Sequence, residues 1–65
     1  MKVVEMGKKW IIRNADEYLK AIDELEGSEF LANMTENFRQ YQTDKAEIRR
    51  QMMEIKKQAI ALGIA

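Results

Sequence analysis

Apolar residues in the second half of the chain follow a regular step. From Ser28 onward they recur at Leu31, Met34, Phe38, Tyr41, Ile48, Met52, Ile55, Ala59 and Leu62, in steps of three and four broken only at Lys45. That alternation is a heptad repeat, the mark of a helix with one apolar seam. Because the phase holds from end to end, it predicts one long amphipathic helix over about 29–62, with Ser28 as its N-cap. Such a helix would measure about 50 Å at 1.5 Å per residue, too long for the rest of a small chain to cover. A competing signal lies inside it. The stretch Asn33 to Asp44 is poor in helix formers, and Asp44 with Glu47 has the spacing of a capping box. The alternative is therefore a helix broken near 42–44, giving a compact three-helix domain.

Upstream, Ala15, Tyr18, Leu19, Ile22 and Leu25 share a face at helical spacing, while Asp16, Lys20 and Glu24 have the spacing of i,i+4 pairs on another. Asn14 is a good N-cap with Glu17 three residues on, and Gly27 reads as a stop, so a short helix is expected over about 15–26. Residues 2–13, KVVEMGKKWIIR, are rich in β-branched and aromatic types around Gly7. This composition predicts a β-hairpin with a tight turn at Met6-Gly7-Lys8, resting its apolar side on the helices or on another subunit. The expected fold class is thus α+β, mostly helical, in a single small domain over 1–65.

Composition narrows the ways such a chain can be stable. With 65 residues it buries only about 60% of its unfolded surface. It has no cysteine and no histidine, so neither a disulfide nor the usual structural metal can reinforce it. Good packing or a partner chain must do so. No apolar run reaches the roughly 18 residues of a membrane span, and the N-terminus lacks the apolar stretch of a secretory signal. A cytoplasmic protein with no membrane association is the expectation.

Formal net charge is zero, but the charges fall in blocks. Residues 1–13 carry four bases and one acid, residues 14–38 seven acids and one base, and residues 39–65 six bases and three acids. The sums are +3, −6 and +3, a pattern that holds a chain together internally or presents opposite signs to different partners.

Catalytic chemistry finds little support. Without histidine or cysteine the common general bases and thiol nucleophiles are missing, and the one serine serves better as a helix cap. Glycines at 7, 27 and 63 stand too far apart for a phosphate loop, and no segment has the ligand spacing of a metal site. The expectation is a chain that is not an enzyme and needs no cofactor.

What remains is binding. Leu31, Met34, Phe38, Tyr41, Ile48, Met52 and Ile55 are the candidate self-association residues, pointing to a homo-oligomer, with a coiled-coil dimer favoured. Lys45 within that seam is either an exposed break or a register-setting polar residue. Arg39, Lys45, Arg49, Arg50, Lys56 and Lys57 form a basic ridge, read either as contacts to nucleic-acid phosphates or an acidic partner, or as a solvated helix flank with local ion pairs. Trp10 is the candidate hot spot if exposed, and a core residue otherwise. Together these residues imply a non-enzymatic interaction module, a small regulator or accessory factor that self-associates and binds or occludes a protein target. The alternative is a small dimeric nucleic-acid-binding regulator that uses the basic ridge.

Overall fold

Asn14 opens the first helix. Its Oδ1 accepts a hydrogen bond from the Glu17 N–H at 2.9 Å, and the Glu17 carboxylate reaches back to accept from the Arg13 N–H at 2.7 Å. In the computed structural model, which describes residues 3–64, this helix, α1, spans Ala15–Asn33 and a second, α2, spans Phe38–Ala61. The two pack against each other as a helical hairpin joined by the short connection 34–37. Overall extents are 38 × 15 × 15 Å, so the molecule is about as long as α2 alone at 1.5 Å per residue.

Three expectations are overturned. The helix expected over 15–26 does not stop at Gly27. Gly27 lies inside α1 at an exposed position, and continuing the helix brings Ala32 into the core in phase with Ala21 and Leu25. A glycine within a helix costs about 1 kcal/mol, which that burial offsets.

The single helix over 29–62 is not formed either. Its break lies at 34–37, upstream of the alternative site at 42–44, and the described residues contain two helices rather than three. Met34 and Thr35 N–H groups donate to Leu31 and Ala32 carbonyls as α1 ends, and Asn37 caps α2 by accepting from the Gln40 N–H at 3.0 Å. The cap signal at Asp44 misleads because Asp44 is buried within α2, and Thr43 donates its hydroxyl to the Arg39 carbonyl inside the same helix. Heptad phase survives the reversal by arithmetic. Four connecting residues occupy about one helical turn of sequence, so the apolar spacing reads straight through a connection that turns the chain around.

The β-hairpin over 2–13 is the third correction: among the described residues there is no strand, and residue 2 lies outside them. Residues 3–13 instead form a strap laid along α2. A turn does occur at Met6–Gly7, where Gly7 takes φ +72, but the chain goes on toward the C-terminal end of α2. Backbone groups that a second strand would have satisfied are satisfied by side chains of α2. Glu47 accepts from the Gly7 N–H at 2.9 Å, Glu54 from the Trp10 N–H at 3.2 Å and Gln58 from the Ile12 N–H at 2.7 Å. In return Gln51 donates to the Glu5 carbonyl, Gln58 to the Trp10 carbonyl (both 2.6 Å), and Arg50 to the Lys8 carbonyl at 3.1 Å. A ribbon of β composition can thus be held without a sheet, since buried backbone polar groups need only a partner.

The core lies where the three layers meet. Val4 and Ile12 from the strap, Ala21, Leu25 and Ala32 from α1, and Ile48 and Ile55 from α2 form one cluster, with Trp10, Tyr18, Ile22 and Met52 packed against it. Small residues on α1 let the helices approach, and Leu25, Ile48 and Ile55 fill the gap at 1–2% exposure. Each such side chain contributes about 1.5–3 kcal/mol by leaving water. The α2 terminus is closed by Gly63 at φ +77, with the Ile64 N–H bonded to the Ala59 carbonyl, a Schellman arrangement.

Candidate interaction surface

The seven residues of the expected seam are divided by the fold. Ile48 and Ile55 are buried against α1 and the strap and are not available to a second chain. Met52 and Tyr41 are half-buried. Leu31, Met34 and Phe38 stay outside, the last two about two-thirds exposed, all at the connection between the helices. With Phe30, also about two-thirds exposed, they surround that end of the hairpin, and Val3, Leu31, Met34, Thr35 and Gln40 line a shallow groove there.

The basic ridge is divided in the same way. Arg50 is held by Glu47 at 2.7 Å and Glu54 at 3.0 Å, and these partners keep its guanidinium charged to an even higher pH than usual. The same Arg50 contact, with help from Gln51 and the Gly7 N–H, draws the Glu47 carboxyl down from 4.5 to about 2. Lys45 pairs with Glu29 at 3.4 Å, lies 3.4 Å from the Asn33 side-chain oxygen and sits over the Tyr41 ring. Arg39, Arg49, Lys56 and Lys57 are exposed and take part in none of the ion pairs among the described residues. Lys8–Glu24 and Lys45–Glu29 show the charge blocks meeting within one chain.

Trp10 is half-buried against the core. Its ring N–H donates to the Gln51 side-chain oxygen at 2.9 Å, and the Lys8 ammonium stands 3.9 Å from the ring centre. These contacts fix the strap.

Two features escaped the reading of the sequence. The first is the row Glu47, Gln51, Glu54 and Gln58, at helical spacing beside the core positions, which grips the strap. Its signal was the pair of glutamines seven residues apart. The second is Asp44, at 2% exposure. One of its oxygens accepts from the Gln40 amide at 2.9 Å, while Oδ2 is enclosed with no hydrogen-bond partner.

Among the described residues no group of three or more acidic, histidine or cysteine side chains is placed to hold a metal, and no helix is long and apolar enough to cross a membrane. No family model, curated protein or solved structure matches the chain.

Proposed function

We propose that this protein is a non-enzymatic interaction module that self-associates and acts in the cytoplasm by binding or occluding a protein target. The observation that carries the reading is the set of large apolar side chains outside a core that is already closed. Leu19, Phe30, Met34, Phe38, Met53 and Ile60 are each more than half exposed, although Ile48 and Ile55 are enclosed. Apolar surface on this scale in so small a chain favours burial against a second surface, at about 25 cal/mol per Å² before the cost of association. A chain without cysteine needs no oxidising compartment, which fits placement in the cytoplasm.

The test is a pair of outward substitutions, Phe30→Asp and Phe38→Asp, followed by sedimentation and thermal melting. Both variants should melt like the parent protein while sedimenting at lower mass. An unchanged mass for both would remove the connection end of the hairpin from the reading.

A second reading is favoured by one observation: the exposed cations Arg39, Arg49, Lys56 and Lys57 all project from α2. On that reading the chain is a small nucleic-acid-binding regulator, and its binding to duplex or single-stranded probes would fall steeply with salt and disappear in Arg49→Glu/Lys56→Glu. No shift of either probe at low salt would dismiss it.

A further inference from the structure

Each helix carries a second stripe, on the side turned away from the core. On α1 the exposed residues Asp16, Leu19, Asp23, Glu26 and Phe30 follow one another in steps of three and four. On α2 the exposed residues Arg39, Gln42, Ala46, Arg49, Met53, Lys56 and Ile60 do the same, with Lys57 beside them. Both stripes therefore run straight along their helices. One is apolar and acidic, the other apolar and basic. The three acids of the first are in none of the ion pairs among the described residues, nor are the four cations of the second. Lys20 stands at the margin of the first stripe, and the acids nearest the second, Glu47 and Glu54, are already engaged with Arg50 and the strap.

We infer that copies of this chain associate head to tail, the outer stripe of α1 in one copy packing on the outer stripe of α2 in the next. The inference rests on the self-association proposed above and specifies its geometry. Charge decides between the ways two copies could meet. A symmetric pair made through α1 would set Asp16, Asp23 and Glu26 against themselves, and one made through α2 would do the same to Arg39, Arg49, Lys56 and Lys57. Only the unlike pairing puts acids beside bases while bringing Leu19 and Phe30 onto Ala46, Met53 and Ile60. Exposed ion pairs contribute little to affinity, so the charges select the faces and apolar burial holds them. There is room for such an interface: a standard patch of about 800 Å² per partner is roughly a sixth of the 4915 Å² surface. Because the two patches differ and lie on different helices, the contact is heterologous and can extend into a chain or close into a ring.

Charge reversal tests this directly. One variant carries Asp16→Lys, Asp23→Lys and Glu26→Lys; a second carries Arg49→Glu, Lys56→Glu and Lys57→Glu; a third carries all six. None of these positions contributes to the core or to an ion pair of the fold. Sedimentation at low salt should show each single-face variant associating at least about tenfold more weakly than the parent, because its two stripes then carry the same sign. An equimolar mixture of the two, and the six-fold variant alone, should recover association to about the parental strength, since opposite stripes can meet again.

Association unaffected by reversal on one of the helices would overturn the head-to-tail geometry and leave self-association standing. A parent protein that stays monomeric at every concentration would end both. If reversal on α2 leaves the mass unchanged but abolishes the shift of a duplex DNA probe, the basic stripe serves nucleic acid and the inference fails.

Discussion

Replacing Gln58 by methionine isolates the device on which the fold depends. The methionine keeps the length of the side chain and its helix propensity but removes the amide that accepts from the Ile12 N–H at 2.7 Å and donates to the Trp10 carbonyl at 2.6 Å. Both backbone groups lie in a partly buried layer, where a lost hydrogen bond costs toward the low end of about 1–3 kcal/mol. Two of them give a loss of about 2 kcal/mol. A domain of this length has only about 3–5 kcal/mol in hand, so the change should lower the melting temperature by roughly 8–16 °C. Gln42→Met is the control, since Gln42 is exposed and should shift stability by no more than about 0.5 kcal/mol.

Urea titration followed by Trp10 fluorescence and by far-ultraviolet circular dichroism reads the strap and the helices separately. We expect coincident transitions displaced together, because Val4 and Ile12 of the strap share one core with Leu25, Ile48 and Ile55. If Gln58→Met is no more harmful than Gln42→Met, the two hydrogen bonds of Gln58 do not hold the strap. If Trp10 reports release at low urea while helicity is intact, the strap and the helices do not share one core.

Other outcomes follow from the same contacts. Glu47 titrates near 4.5 when unfolded and at about 2 when folded, so its contribution is complete above pH 4.5 and drains away as pH falls toward 2. Acid titration of Glu47→Gln should therefore show a shallower loss of stability in that window than the parent. Asp44→Asn keeps the oxygen that accepts from Gln40 and replaces an enclosed negative charge by a neutral amide, whose unpartnered burial costs less, and should raise stability by about 1 kcal/mol in a urea melt. A loss of that size would instead mean that the negative charge is needed. Ile48→Ala should cost about 2–4 kcal/mol in the same assay, because Ile48 is enclosed at 2% exposure. A variant that keeps its stability and loses only higher-mass species would place Ile48 at an intermolecular seam instead.

The sequence disclosed the start of α1 and the end of α2 but misplaced the two ends that face the connection. Asn14 and its Glu17 partner were legible because a cap is a local bargain between neighbouring residues. The connection at 34–37 was not, since a turn one helical repeat long leaves the apolar spacing unbroken while reversing the chain. Val4, Trp10 and Ile12 pack against the helices as the apolar side of the expected ribbon would, yet the backbone of the strap at Glu5, Gly7, Trp10 and Ile12 is satisfied by Gln51, Glu47, Glu54 and Gln58. Nothing local to residues 3–13 announces a partner forty or more positions away. The candidate surface divides along the same line. Heptad spacing marks residues that share a face but not which face is turned inward, so Ile48 and Ile55 went to the core while Met53 and Ile60, one step aside, stayed outside.

The most direct test of the account is a dilution series followed by nuclear magnetic resonance. On raising the concentration, the methyl, ring and amide signals of Leu19, Phe30, Ala46, Met53 and Ile60 should move together and saturate, while those of Val4, Ile48 and Ile55 stay in place. Signals that are unchanged across the series, or changes confined to Val4 and Ile12 as the strap passes to a neighbouring copy, would contradict it.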